Sequence, residues 1–159
     1  MELRRTMLFM PGNNPGMLQT AAVFGSDAVI FDLEDAVALT EKDAARYLIS
    51  EALRTNKYDD VEVVVRVNPL STPYAEKDID VIARLKPDAI LLPKACPEDI
   101  AVLDKKLDEI EKEMGFEAGS IKIHPLVETT YGVETVYETI KSSPRVISVL
   151  LGGEDLAVD

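Results

Sequence analysis

The chain has one cysteine, Cys96, one histidine, His124, and no stretch near the roughly 18 apolar residues that a membrane-spanning helix needs. A lone cysteine excludes a disulfide framework within the chain and fits a reducing compartment. The N-terminal Met-Glu-Leu-Arg-Arg-Thr is followed by only a short apolar stretch before Pro11, which does not make a secretory signal. Basic charge is scarce: 17 Lys and Arg stand against 29 Asp and Glu, a formal charge of −12. That balance argues against nucleic acid or an anionic membrane as the partner, so any anionic ligand must be met by local positive groups. No low-complexity segment or linker interrupts the 159 residues. A cytoplasmic protein with one domain spanning 1–159 is expected.

What is present is a repeated pairing of a short apolar run with a helical pattern. The runs Met7–Met10, Ala28–Phe31, Val61–Val67, Ala89–Leu92, Ile121–Val127 and Val146–Leu151 read as strands. Between them, helices are predicted over 16–24, capped by Asn14 with Pro15 at N1 and Gly25 at the end, and over 41–54, opened by a capping box of Thr40 and Asp43. Further helices are predicted over 76–85, from about Ile100 to Met114 with Gly115 as cap, and near 133–141. Strands recurring at roughly 25–33 residues, each a continuous apolar run, are the signature of an α/β protein with a parallel sheet covered on both faces. No G-x-G-x-x-G follows the first strand, which weakens a dinucleotide-binding open sheet and favours a (β/α)8 TIM-type barrel. About six βα units are present, where a complete barrel takes about 200 residues or more. The expectation is a single incomplete TIM-barrel domain, C-terminally truncated.

The polar residues gather where strands end. Asp32, Glu34 and Asp35 follow the second strand, Arg66 and Asn68 the third, Lys94 the fourth, Glu128 the fifth, and Glu154 and Asp155 the sixth. In a barrel all of these share the C-terminal rim, where such enzymes keep their active sites. Taken singly, Glu128, Asp155 or Glu34 is better explained as an acid near a helix N-terminus, favourable by at most about 1 kcal/mol. Arg66 is harder to dismiss, because a charge ending a valine-rich strand is costly without a partner. His124, near its strand's start, reads as structural, and Cys96 has no His at a spacing that would make it a nucleophile. Paired carboxylates without a second His or Cys suit Mg2+ or Mn2+ rather than zinc.

Six short motifs appear in order: Arg5-Thr6-x-Leu8-Phe9-x-Pro11-Gly12, Phe31-Asp32-Leu33-Glu34-Asp35-Ala36-Val37, Val65-Arg66-Val67-Asn68, Leu91-Leu92-Pro93-Lys94, Val127-Glu128-Thr129-x-x-Gly132 and Gly152-x-Glu154-Asp155-Leu156. Together they resemble the citrate lyase β-subunit group of the HpcH/HpaI aldolase superfamily, over essentially the whole chain. The resemblance implies a Mg2+-dependent lyase that cleaves a citryl thioester, on CoA or acyl carrier protein, to oxaloacetate and acetyl thioester. Malyl- or citramalyl-CoA lyases and a non-catalytic scaffold subunit are the rival readings. It further implies Glu128 and Asp155 as metal ligands and Arg66 as the clamp for a substrate carboxylate. Glu34 and Asp35 would orient Arg66 or take part in proton transfer. Arg5, Pro11, Gly12 and Lys94 would help hold the substrate and its thioester carrier. Members of this group continue with two further βα units, so the chain reads as a fragment or as one completed by another chain. Unpaired strand edges then predict a homo-oligomer or a lyase complex.

Overall fold

The computed structural model describes residues 3–158. Six strands lie in one parallel sheet in simple chain order: β1 (Met7–Pro11), β2 (Ala28–Asp32), β3 (Glu62–Arg66), β4 (Ala89–Leu92), β5 (Lys122–Val127) and β6 (Leu150–Leu151). Each neighbour is reached through helical chain: α1 (Pro15–Thr20), α2 (Lys42–Thr55), α3 (Ala75–Ala83), α4 (Pro97–Met114), then α5 (Thr130–Glu134) and α6 (Val136–Lys141). A last turn, α7 (Gly153–Leu156), follows β6. The sheet curls into a half-barrel.

The register explains why the strands read as unbroken apolar runs. Alternate side chains point to opposite faces of a strand, so each run feeds two separate cores. Phe31, Val65, Ile90, Leu92 and Ile123 face outward and pack against Leu18, Ile49, Ile79, Ile100 and Leu107 of the helices. Ile30, Val64, Ala89, Leu91 and Leu126 face inward and pack with Met7 and Leu150. The inner face carries a polar residue at each end of this apolar band. Asp32 is in register with Arg66, and Ala28 with Glu62, four positions earlier on the same strands.

Three expectations need correction. The sixth strand is much shorter than Val146–Leu151: only Leu126↔Leu150 and Val127↔Leu151 pair, with an isolated bridge Ile123↔Val146. Between these contacts the Ser148 hydroxyl turns inward to the Nδ1 of His124, 2.5 Å away. The capping box of Thr40 and Asp43 does not form. A 3-10 turn over Leu39–Glu41 precedes α2, and the Asp43 carboxylate pairs with Arg46 instead. The helix predicted over 133–141 is broken at Thr135, whose φ of −102° and ψ of 14° leave the helical region. Val133, Thr135 and Val136 are β-branched, and Thr135 Oγ1 bonds back to Tyr131 O at 2.8 Å, a local alternative to helix continuation. By contrast α1 starts as expected, with the Asn14 side chain accepting from Met17 N and Pro15 at the first position.

Candidate active site

Inward-facing positions at the strand ends and the loops after them gather charged side chains round one cavity. Arg66 closes β3 and is gripped by Asp32, which closes β2: Nε donates to Oδ1 at 2.7 Å and Nη2 to Oδ2 at 2.6 Å. Asp32 also accepts the backbone N–H groups of Glu34 and Ala36, so one carboxylate both shapes the loop after β2 and fixes the guanidinium. The third nitrogen of the fork, Nη1, lies 3.0 Å from Glu34 Oε2 and 3.5 Å from Asp35 Oδ2. Phe9 of β1 covers the guanidinium face, its ring centre 5.0 Å from Cζ. A planar fork held on two edges and one face has little freedom left.

Glu128 follows β5 and is 4% exposed. It does not cap the helix it precedes. The Thr129 hydroxyl takes that role, accepting from Gly132 N at 3.0 Å. Glu128 Oε1 instead accepts the backbone N–H of Lys94 at 2.9 Å. Lys94 can aim that N–H because its φ is +51°, a left-handed conformation uncommon outside glycine. Its side chain runs the other way, and Nζ meets Asp155 Oδ2 at 2.6 Å. Gly152, next to β6, leaves the space that Glu128 fills, since a Cβ there would stand 2.6 Å from Glu128 Oε2. Asp155 sits in the first turn of α7, so a helical turn does carry this residue.

The result is a cavity of about 240 Å³ lined by Phe9, Asp35, Arg66, Glu128, Gly152 and Asp155. Five carboxylates, Asp32, Glu34, Asp35, Glu128 and Asp155, meet two cations, Arg66 and Lys94, in the ion pairs and backbone bonds just described. Burial and crowding shift the Glu34 and Glu128 carboxyls. Burial pushes the Glu34 carboxyl up to about 7, with Asp35, Glu128 and Asp32 adding to the rise against the pull of Arg66. Burial likewise raises Glu128, opposed by the Lys94 N–H and ammonium. An excess of hard oxygen donors with no imidazole or thiolate among them fits a divalent cation of the Mg2+ class. Among the described residues no group of three or more potential ligands converges. Glu128 and Asp155, the pair the family resemblance implies, could supply two oxygens, with water or substrate as the rest, which is how Mg2+ is usually held.

Not every residue expected at this site is there. Arg5 precedes β1 and lies at the opposite end of the sheet, where its Nη2 meets Asp27 Oδ1 at 2.8 Å and its backbone N–H bonds Asp27 Oδ2. The reason is positional: residues just before a parallel strand sit at the rim where strands begin. Pro11 and Gly12 are at the correct end, Pro11 in register with Asp32 and Gly12 N donating to Asp32 O at 2.9 Å. Neither lines the cavity. Glu34 stands behind Arg66 rather than in the lining, while Asp35 faces the cavity. Burial pushes the Cys96 thiol up to about 11, away from the thiolate form that a nucleophile needs.

Some contributors were not anticipated. Phe9 could have been found from its alternation with Met7 and Pro11 on the inner face of β1. At the strand starts a second polar group forms whose partners the sequence does not show: His124, fully buried, lies with Nε2 3.3 Å from Glu62 Oε1, and Arg4 Nη2 donates to the same oxygen at 2.7 Å. A larger cavity of about 670 Å³ opens at that end. Three of its carboxylates have structural partners, Asp27 with Arg5 and Thr6, Glu62 with Arg4 and His124, Asp88 with Val63 N.

Parallel strands in chain order, alternating with helices and ending in an acidic rim built round one arginine, define a half-barrel α/β chain with a charged cavity at the strand ends. The chain belongs to the HpcH/HpaI aldolase/citrate lyase family, whose model matches residues 5–159. It is 44% identical over 160 residues to citrate lyase subunit beta of Leuconostoc mesenteroides subsp. cremoris, covering 99% of this chain and 52% of that protein. With L-malyl-CoA/beta-methylmalyl-CoA lyase of Cereibacter sphaeroides it shares 32% identity, covering 96% of this chain and 49% of the relative. The chain thus spans about half the length of the curated relatives it matches. Its fold superposes on the citrate lyase beta subunit complexed with oxaloacetate and magnesium from M. tuberculosis with a TM-score of 0.75 at 27% identity, covering 96% of this chain and 59% of that one.

Proposed function

We propose that this chain carries the cation- and carboxylate-binding rim of a Mg2+-dependent carbon–carbon lyase acting on a citryl thioester. The observation that carries the reading is the convergence of Glu128, Asp155 and Arg66 on one cavity at the strand ends, with Lys94 bonded to both acids. Glu128 and Asp155 would hold the metal, with Mn2+ as a substitute. A bound Mg2+ supplies Lewis-acid stabilisation of the oxygen charge that develops as the bond breaks.

The chain's own residues do the rest. Arg66 offers a fixed positive charge to a substrate carboxylate, and its orientation is already set by Asp32, Glu34 and Phe9, so little order has to be imposed on binding. In the cleavage the substrate hydroxyl loses its proton and its carbon becomes the keto carbon of oxaloacetate. The electron pair of the broken carbon–carbon bond passes to the acetyl thioester as its enolate, which is then protonated. Asp35 is the carboxylate of the acidic loop that faces the cavity, and Glu34 acts through Arg66. The thioester carrier, CoA or acyl carrier protein, would extend from the rim, and assembly with further copies or lyase subunits would complete the site.

The citryl reading is favoured over malyl or citramalyl esters by the higher identity to the citrate lyase relative. The test is Mg2+ titration by calorimetry on the chain and on Glu128→Ala, followed by product analysis with citryl-CoA and malyl-CoA. Saturable Mg2+ binding that Glu128→Ala abolishes, with oxaloacetate released from citryl-CoA, is the expected result. No heat with Mg2+, and no difference in the variant, would end the lyase reading.

A further inference from the structure

Lys94 touches both residues assigned to the metal, and in opposite ways. Its backbone N–H holds Glu128 Oε1 at 2.9 Å, while its ammonium holds Asp155 Oδ2 at 2.6 Å. The backbone contact depends on the left-handed φ of +51°, a conformation that a lysine seldom adopts without a reason in its surroundings. The ion pair is open to water, with the two side chains 44% and 40% exposed. Exposed pairs of this kind are weak and easily exchanged.

We propose that Lys94 is a placeholder cation: its ammonium occupies Asp155 until a divalent ion binds there, and is then released into the cavity toward the anionic substrate. A divalent ion arriving at Asp155 meets the ammonium on Oδ2 as a neighbouring like charge, so metal entry drives the side chain out. The backbone N–H stays on Glu128 throughout, which keeps that carboxylate aimed while its neighbour changes partner. Metal binding thereby raises the positive charge available to substrate twice, once through the ion and once through the freed lysine. Lys94 is on this account a positioning residue for the metal and a binding residue for the anion.

The inference rests on the metal-site reading above, and the experiment separates the two. Mg2+ affinity is measured by calorimetry for the unaltered chain and for Lys94→Met, Lys94→Gly and Lys94→Arg. Glycine is included because the left-handed backbone tolerates it, so this variant keeps the fold while losing the ammonium. Removing the competitor should tighten Mg2+ binding by up to about fivefold in Lys94→Met and Lys94→Gly, the equilibrium equivalent of one exposed ion pair. Lys94→Arg should bind no tighter than the unaltered chain. Equal or weaker binding in Lys94→Met and Lys94→Gly, with the unaltered chain binding Mg2+, overturns the placeholder and leaves the metal site standing. Absence of Mg2+ binding in all four proteins overturns both.

Discussion

Gly152→Ala isolates the position of Glu128 from everything else in the site. Gly152 has φ −92° and ψ 86°, so alanine meets no conformational penalty of the left-handed kind. The cost is steric. The added Cβ would lie 2.6 Å from Glu128 Oε2, 2.8 Å from Glu128 Cβ and 3.4 Å from Leu126 Cδ1. Ordinary contact begins near 3.4 Å, so the backbone after β6 must move off by about 0.6 Å to clear the Glu128 Cβ. Overpacking of this size costs about 1–3 kcal/mol. The lower end is expected because β6 is two residues long and gives way easily. That corresponds to a fall in melting temperature of about 2–4 °C. The effect on the cation should be larger in proportion, because displacing the carboxylate or its support typically costs about 10–100-fold in metal affinity. Gly153→Ala is the control: a Cβ there has nothing within 4 Å and should change neither quantity. Thermal melting and Mg2+ calorimetry on the three proteins decide the matter. A Gly152→Ala chain that melts lower yet binds Mg2+ as tightly as the parent would show that the packing of Glu128 against Gly152 does not set the cation site.

Two other substitutions test the buried charges. Arg145 is 2% exposed and bonds Asp104, Asp108 and Glu111 of α4 as well as Ile121 O, so Arg145→Met strands the buried Glu111 and should cost about 3–5 kcal/mol in urea unfolding at pH 7. Burial would raise Glu111, but Arg145 and the N–H groups of Ile121 and Gly119 outweigh it and hold the carboxyl at about 2. The stability from this group is therefore present above its unfolded value of 4.5 and lost as pH falls toward about 2; in Arg145→Met the acid limb should begin at higher pH. A loss under about 1 kcal/mol would refute the role assigned to Arg145. Glu34 behaves in the opposite sense: its folded value of about 7 lies above the unfolded 4.5, so stability is greatest below 4.5 and declines as pH rises through 7. Glu34→Gln should match the parent near pH 4 and exceed it at pH 8 by about 1–3 kcal/mol in the metal-free chain, and equal stability at both pH values would refute the burial argument.

The elements of the fold were legible because apolar runs and helical periods are local signals. Ala89–Leu92 and the helix ended by Gly115 are found where the sequence places them, the latter with Gly115 at φ +71°. What the sequence hides is partnership at long range. Asp104, Asp108 and Glu111 look like a solvated stripe on α4 until Arg145, 34 residues beyond Glu111, closes over them. Val146–Leu151 has the composition of a strand, yet its length is decided by where the chain is tied, at Arg145 on one side and Ser148 on the other. Arg5 shows a different failure. It was grouped with the site because it belongs to the same motif as Pro11 and Gly12, although a five-residue strand separates the two ends of that motif.

Glu128 is where the long-range partners decide between two readings of one residue. From sequence an acid before a helix is most economically a cap, and a cap explains nothing about function. The N–H that such a cap would serve is already taken by Thr129, one residue on. Glu128 must then satisfy its charge elsewhere, and it does so on a lysine N–H made available by a left-handed backbone, with 4% of its surface in contact with solvent. A carboxylate so buried, with a second one held only by an exposed ammonium, is a poor device for stability, because burial raises its energy and the neighbouring charges repel. On the proposed reading, a small divalent ion at this pair would relieve both costs at once. Arg66 is likewise ringed by three carboxylates, of which Asp35 faces the cavity. The structural cost is concentrated at the end of the sheet where chemistry would take place, and the apolar band beneath it, Ile30, Val64, Leu91 and Leu126, holds that end together.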